Sequence, residues 1–224
     1  MLPTADIRRR LQRRLRRVHL DPPPDVVEGL ITYYSLLRRW NEKINLTSLP
    51  DGDEAVDRLL VEPLLAARLM TEPTALVVDV GSGGGSPAIP LKLVTPTLDL
   101  WMIESKARKS AFLREVVRQL SLQDARVETS RAEDLVERPE IFGLADAVTM
   151  RAVRADLKTL ASLQQFLRPG GELLFFTRLG GSGRLLLPPQ LERVGEEALL
   201  PALQTSLLRL RKRLSLPAPV NGAA

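Results

Sequence analysis

Two kinds of hydrophobic pattern divide the chain near residue 72. In the first part, apolar residues recur at helical spacing. Ile7, Leu11, Leu15 and Val18 predict an amphipathic helix that docks on the protein and turns its arginines outward. The prolines at 22–24 suit the start of a second helix that runs to about Trp40. We therefore expect residues 1–72 to form an N-terminal helical extension.

A third helical pattern covers about residues 54–70, with Pro63 inside it. Proline lacks an amide hydrogen and its ring clashes with the preceding turn. This helix is therefore predicted to be kinked or split.

From residue 75 onward, short apolar strands alternate with helical stretches, which is typical of parallel βαβ units. Strands are predicted at 75–80, 98–104, 126–130, 146–150 and 172–177, with helices at 87–94, 106–121 and 155–167. Residues 185–189 and 199–213 would add closing antiparallel strands. The pattern predicts a doubly wound α/β domain over residues 73–214, with a mostly parallel seven-stranded sheet flanked by helices, and a flexible tail at 215–224.

Composition excludes several kinds of site. The 224 residues include no Cys and a single His, so there is no disulfide framework and no Cys/His zinc site, and only His19 could take part in a nucleophilic dyad. We expect no bound metal. No apolar run approaches the roughly 20 residues of a membrane span, and no apolar signal segment follows the basic N-terminus. We expect a cytoplasmic protein.

Positive charge is concentrated near the N-terminus. The chain has 32 Lys and Arg against 27 Asp and Glu, a net charge of +5, and seven arginines lie between residues 8 and 17. A row of arginines suits phosphate contacts, although a solvated helix face would look the same. The charge favours a polyanionic partner.

A glycine-rich segment, Asp79 to Gly85, directly follows the first predicted strand. Glycines allow the sharp turn and close backbone approach that a nucleotide-like cofactor requires. A dinucleotide motif would need glycine at position 86, where this chain has Ser86, and the Walker sequence is absent. The turn therefore suits a different nucleoside cofactor.

Two acids accompany this turn at the ends of the first two strands. Asp79 precedes the first glycine by two residues, and Glu104 ends the second strand about 25 positions later. An acid at the second position can accept hydrogen bonds from both ribose hydroxyls of adenosylmethionine, and Asp79 would lie near its cationic methionine part. Asp79 could instead cap the loop and Glu104 a helix N-terminus. Because ligands of open α/β sheets bind at strand carboxyl ends, we favour the ligand roles.

Five ordered signatures lie between about residues 25 and 180. They are Trp40-Asn41 with Asn45-Leu46-Thr47; Asp79 to Gly85 with Pro87, Ile89 and Pro90; Glu104-Ser105 with Lys109, Phe112, Leu113 and Arg114; Ser130-Arg131-Ala132-Glu133; and Arg151-Ala152. In these residues the sequence resembles the small-subunit ribosomal RNA guanine-N7 methyltransferases, also called glucose-inhibited division protein B.

The resemblance implies a Rossmann-like class I methyltransferase fold and S-adenosylmethionine as cofactor. It also implies methylation of a guanosine N7 in small-subunit ribosomal RNA, either naked or in a ribosomal particle, by a protein that we expect to be a monomer. The predicted cofactor-binding residues are Asp79, Gly81, Ser82, Gly83, Gly85, Ser86, Glu104, Ser105, Ala132, Glu133 and Arg151. The predicted RNA-binding residues are Arg8, Arg9, Arg13, Arg16, Asn45 and Arg178, with Arg151 and Arg178 positioning the substrate.

No acid or base residue is required for this reaction. The N7 lone pair of guanine is unprotonated at neutral pH and a sulfonium methyl is already activated, so in-line displacement can proceed by orientation alone. The absence of an evident catalytic His or carboxylate pair agrees with this expectation.

The sequence departs from the family pattern at three places. The family usually has Arg-His followed by Leu-Asp-Ser, where this chain has Arg58-Leu59 and Val61-Glu62-Pro63. The bulky apolar residue usual at position 86 is Ser86, and Arg178-Leu179-Gly180 replaces a Lys-Gly pair. These changes concern RNA positioning more than cofactor binding.

Three other functions compete with this one. A methyltransferase of the same fold acting on a small molecule or a protein would explain the missing His and Lys-Gly, but not the basic N-terminus. A non-catalytic RNA-binding descendant would not need Asp79 and Glu104. A NAD-linked oxidoreductase would need the third dinucleotide glycine.

Overall fold

Seven strands form one mixed sheet in the computed structural model of the chain. They are β1 (Leu76–Val80), β2 (Asp99–Ile103), β3 (Ala125–Glu128), β4 (Ala145–Arg151), β5 (Leu167–Arg178), β6 (Leu191–Leu200) and β7 (Thr205–Lys212). Their order is β3-β2-β1-β4-β5-β7-β6. The first five pair in parallel, and β7 runs antiparallel to both β5 and β6. The prediction of a mostly parallel, seven-stranded, doubly wound sheet is confirmed.

The helices lie in the N-terminal part and between the parallel strands. They are α1 (Thr4–Arg17), α2 (Pro24–Asn41), α3 (Asp53–Val56), a π-helical segment (Asp57–Val61), α4 (Glu62–Ala67), α5 (Ala88–Val94), α6 (Ala107–Gln119) and α7 (Leu157–Leu163). The structure describes residues 4–70, 75–136, 138–151, 156–180 and 185–214. The predicted tail at 215–224 and the predicted boundary near residue 72 lie outside these residues. Within them, no helix is long and apolar enough to cross a membrane.

The predicted split of the third helix occurs just before Pro63. The amide of Glu62 donates to the carbonyl of Asp57 five residues earlier, which is the hydrogen bond of a π-helix. α4 then continues from Glu62, with Pro63 in its first turn, where a missing amide hydrogen is tolerated.

The N-terminal helices share the core of the sheet. Ile7, Leu11 and Leu15 of α1 are buried, as their spacing predicted. Leu11 belongs to the same apolar cluster as Val77 of β1 and Leu100 of β2. The helical extension therefore helps to cover one face of the sheet.

The predicted strand at residues 185–189 is wrong. This stretch has no regular structure, and β6 begins only at Leu191. Pro188 and Pro189 cannot donate to a strand ladder. The single segment predicted at 199–213 instead contains the end of β6, a tight turn with Gln204 at a positive φ of 51°, and β7.

The register of the parallel strands aligns the predicted site residues. Asp79 of β1 lies opposite Thr149 of β4, and Val80 lies opposite both Ile103 and Met150. The carboxyl ends of β1, β2 and β4 therefore meet at one edge of the sheet. Ligands of doubly wound sheets bind at this edge.

Candidate functional site

The glycine turn after β1 adopts backbone angles that favour glycine. Gly81, Gly83 and Gly85 have positive φ values of 73°, 49° and 86°. A Cβ on Gly85 would lie 2.9 Å from the Cγ1 atom of Ile89, so a side chain there would also collide. The amides of Gly81 and Ser82 both donate to the Ile103 carbonyl, at 2.9 and 3.1 Å. These bonds hold the turn against the end of β2.

Glu104 joins the glycine turn to the start of α6. Its Oε2 atom accepts a hydrogen bond from the amide of Gly83 at 3.0 Å, and its Oε1 atom accepts one from the amide of Lys106 at 2.8 Å. The side chain is buried, with 6% exposed. Each carboxylate oxygen has a second lone pair, so Glu104 can hold the turn and still accept hydrogen bonds from a ligand.

Asp79 is a buried carboxylate with one oxygen unused. Its Oδ1 atom accepts a hydrogen bond from the Thr149 hydroxyl at 2.6 Å, whereas Oδ2 has no partner among the described residues. Burial raises the pKa of Asp79, and the nearby hydroxyl groups of Ser82 and Thr149 act against this rise. A cationic or hydrogen-bond-donating ligand would satisfy the free oxygen.

A cavity of about 370 Å³ opens beside this turn. One wall consists of the glycine turn, and the facing walls bring together the loop after α2, the π-helical segment and two cations from α6 and β4. The lining residues are Leu37, Leu46, Thr47, Ser48, Leu49, Arg58, Leu59, Gly81, Ser82, Gly83, Gly84, Ser86, Lys109 and Arg151. The predicted residues Gly81, Ser82, Gly83, Ser86 and Arg151 therefore share one cavity.

Arg151 is held by Glu62, a residue at which the sequence departs from the family pattern. Its Nη1 atom donates to Oε2 of Glu62 at 2.7 Å, and its guanidinium carbon lies 4.5 Å from the centre of the Phe176 ring. Its Nε and Nη2 atoms, and Oε1 of Glu62, have no partner in the described part of the chain. Burial lowers the pKa of Arg151, and Glu62 opposes this effect. The pair thus retains unused polar atoms.

Arg58 and Lys109 also line the cavity, although they were not predicted to be site residues. Lys109 belongs to a segment that carried the resemblance, and Arg58 keeps the arginine of the family's Arg-His pair, so both positions offered a signal. Three cations therefore lie around a cavity next to the glycine turn.

The remaining predicted cofactor residues do not line this cavity. Ser105 is exposed just after Glu104, whereas Gly85 is buried behind the turn. Ala132 and Glu133 lie in a short 3-10 helix after β3. These residues therefore lie near the same edge of the sheet but are not part of the cavity wall.

The predicted RNA-binding arginines of α1 contribute to ion pairs within the protein. Arg8 contacts Glu28 through Nη2 at 2.6 Å, and Arg13 contacts Asp53 at 2.8 Å. Arg9 is 76% exposed, 3.6 Å from Asp6. Arg16 is exposed and donates to a backbone carbonyl of its own helix. The positive charge of these arginines is therefore partly neutralised, but their side chains remain accessible to a ligand from solvent.

Two predicted RNA contacts lie elsewhere on the surface. Asn45 is exposed in the loop after α2. Asn41 organises this loop, because its side-chain oxygen accepts hydrogen bonds from the amides of Leu46 and Thr47 at 2.8 and 2.9 Å. Arg178 is exposed at the last position of β5.

The structure resembles several solved structures, among them that of a methyltransferase. A SAM-dependent methyltransferase from Aquifex aeolicus aligns with a TM-score of 0.55 at 15% identity, over 79% of this chain and 96% of that one. MtNAS in complex with MTA and tNA aligns with a TM-score of 0.59 at 14% identity, over 82% and 69%. At such identities the likeness establishes the fold alone, which is the expected Rossmann-like class I methyltransferase fold.

Sequence comparison identifies the family. The chain is 40% identical over 134 residues to the ribosomal RNA small subunit methyltransferase G of Roseiflexus castenholzii, a match that spans 60% of this chain and only 57% of the relative. The protein of the same name from Xanthomonas campestris pv. campestris is 36% identical over 172 residues, or 77% and 78% of the two chains. Residues 27–178 match the GidB family, described as rRNA small subunit methyltransferase G. The chain therefore belongs to the GidB family.

Proposed function

We propose that this protein is an S-adenosylmethionine-dependent methyltransferase that methylates N7 of a guanosine in small-subunit ribosomal RNA. The observation that carries the proposal is the cavity lined by both the glycine turn and three cations, within the segment that matches the GidB family. A cofactor turn and an anion-attracting wall in one cavity suit methyl transfer to a nucleic acid. A small-molecule acceptor would not require this concentration of positive charge.

The residues of the turn fit the proposed cofactor. The unused Oδ2 atom of Asp79 suits the cationic methionine part, and the free lone pairs of Glu104 suit ribose hydroxyls. The glycines allow the backbone to approach a ligand closely. Ala132 and Glu133 would border the adenine, and Ser105 would support the ribose side. When bound, the cofactor supplies a methyl group that its sulfonium already activates.

The protein's own contribution is mainly orientation. The N7 lone pair needs no deprotonation, so Arg151 and the other cavity cations act by holding the nucleotide in line with the methyl group. Orientation of this kind can supply up to roughly 7–11 kcal/mol of barrier lowering. The target base must be unstacked to enter the cavity, which favours single-stranded or partly assembled RNA.

The arginines of α1 would bind RNA outside the cavity, together with Asn45 and Arg178. The ion pairs of Arg8 and Arg13 are exposed, and exposed ion pairs contribute only about 0.2–1 kcal/mol. RNA phosphates can therefore replace these carboxylates. Changing Arg9, Arg13 and Arg16 together to Gln should weaken RNA binding and lower its salt dependence, by about 0.7 in logarithmic slope for each lost contact with single-stranded RNA. An unchanged slope would contradict this assignment.

We also propose that the protein acts in the cytoplasm, where ribosomal subunits would be accessible to it, and that it acts as a monomer. Size-exclusion chromatography with light scattering tests the monomeric state. A dimer at micromolar concentration would contradict it.

The test of the proposed activity is label transfer. Purified protein and labelled S-adenosylmethionine are incubated with small ribosomal subunits from a strain that lacks the corresponding activity, and the digested RNA is analysed for nucleosides. We expect label in 7-methylguanosine. Binding of S-adenosylhomocysteine without any label in RNA would redirect the search to small-molecule acceptors or to a non-catalytic role.

A further inference from the structure

The cavity contains a hydrogen bond that links its two walls. The Ser86 hydroxyl, at the end of the glycine turn, donates to the backbone carbonyl of Leu59 at 2.9 Å. Leu59 lies in the π-helical segment, and both residues line the cavity. The bond therefore connects the cofactor turn to the helical wall that faces it.

Pro63 removes one donor that could otherwise serve the Leu59 carbonyl. Where the π-helical segment passes into α4, the α-helical donor to the carbonyl of residue 59 would be the amide of residue 63, and proline has no amide hydrogen. Leu59 is buried, with 7% exposed, and a buried carbonyl without a partner is unfavourable. Ser86 supplies the hydrogen bond that the proline cannot.

The segment held in this way carries the cationic wall of the cavity. Arg58 precedes Leu59 and lines the cavity, and Glu62 follows and binds Arg151 at 2.7 Å. The glycine turn is held independently, through the Ile103 carbonyl and Glu104. Loss of the Ser86 bond would therefore free the helical wall and leave the turn in place.

We propose that Ser86 is a positioning residue. Its hydrogen bond to the Leu59 carbonyl holds Arg58 and the Glu62–Arg151 pair at the correct position relative to the cofactor turn. This inference rests on the proposed methyltransferase function. It assigns the Ser86 hydroxyl to the alignment of the acceptor RNA, with cofactor binding left to the turn.

The experiment is a double-mutant cycle on the full-length protein. Wild type, S86A, S86T, P63A and P63A/S86A are compared by steady-state methylation of small ribosomal subunits, and by calorimetric binding of S-adenosylhomocysteine. P63A provides an amide hydrogen at residue 63, and it should fold because proline disfavours a helix. S35A is the matched control, because the Ser35 hydroxyl also donates to a backbone carbonyl, that of Ile31, at 2.8 Å in α2.

We expect S86A to lower kcat by about tenfold to a hundredfold, as a misplacement of about 1 Å can do, with adenosylhomocysteine affinity unchanged within about twofold. S86T should retain activity, because it keeps the hydroxyl, and S35A should behave as wild type. In the P63A background, S86A should lower kcat by less than about twofold, because the new amide at residue 63 can donate to the Leu59 carbonyl.

Three results would overturn the proposal. One is an equal loss from S86A with and without P63A. Another is a loss of adenosylhomocysteine affinity with kcat unchanged, which would make Ser86 a cofactor contact. The third is a melting temperature of S86A below that of the wild type, with kcat and the affinity for adenosylhomocysteine both unchanged. If S86A does not fold, P63A/S86A must still fold and be active for the proposal to stand. Failure of the wild type to label RNA would instead refute the proposed function, whatever the variants do.

Discussion

Replacing Asp79 by Asn should stabilise the ligand-free protein and weaken cofactor binding. Asp79 is 1% exposed, and Oδ2 has no partner among the described residues. Asparagine has nearly the same shape, and its side-chain oxygen can still accept the hydrogen bond from the Thr149 hydroxyl. The change therefore removes the buried charge with little change in packing.

The sign of the stability change follows from the direction of the pKa shift. Burial raises the pKa of Asp79, so the folded protein keeps the proton at pH values where the unfolded chain has lost it. The destabilisation is absent below the ordinary carboxyl pKa of about 4 and complete above the raised value. Removal of the buried charge stabilises the folded protein, and the unpaired side-chain amide group of asparagine offsets part of this effect. We expect a net gain of about 1–2 kcal/mol, or roughly 2–8 °C in melting temperature.

Cofactor affinity should change in the opposite direction. A hydrogen bond to a charged group contributes about 1.5–3 kcal/mol, so D79N should weaken S-adenosylhomocysteine binding by roughly 10- to 150-fold. In the wild type, binding should tighten as the pH rises through the raised pKa of Asp79, because the ammonium group of the ligand favours the ionised carboxylate. D79N should lose this pH dependence.

The assay combines thermal unfolding at pH values from 5 to 8, with and without adenosylhomocysteine, and calorimetric titration. Thr149→Val serves as the matched control, since it removes the hydroxyl partner and keeps the charge, and it should destabilise the ligand-free protein. A melting temperature of D79N below that of the wild type at pH 8, or an unchanged affinity, would refute the reasoning.

Three further substitutions test the packing of the site. Glu62→Gln should lower the free energy of unfolding, measured by urea denaturation, by about 3 kcal/mol, because it leaves Arg151 buried without its counter-charge. The double variant E62Q/R151M should recover part of this loss, and no recovery would contradict the pairing. Gly85→Ala should lower the free energy of unfolding by at least about 1–2 kcal/mol, because the φ of 86° at this position is unfavourable for alanine. An unchanged melting temperature would contradict this. Tyr33→Phe removes the 2.6 Å hydrogen bond to the Gly84 carbonyl and should lower the melting temperature by about 2–4 °C; no change would show that the bond contributes nothing.

Local pattern predicted most of the sheet and the cofactor turn. The five parallel strands were found because buried parallel strands are short apolar runs separated by helices. The glycines were recognised because their backbone angles restrict the choice of residue. The edge strand β6 was missed because it carries charged residues such as Glu192, Arg193 and Glu197, which protect an edge but obscure strand periodicity.

The fold, the glycine turn and the positions of Asp79 and Glu104 follow from local sequence, because each depends on residues close together in the chain. Two contacts between distant residues become visible only in the folded chain: Arg151 binds Glu62, which is 89 positions away, and Ser86 binds the carbonyl of Leu59, which is 27 positions away. In the sequence, Glu62 and Pro63 stand out only as departures from the family pattern, and Ser86 as a departure that is also a predicted cofactor contact. The roles of these residues depend on which polar groups are buried without a partner. Those groups are determined only when the helices pack over the sheet.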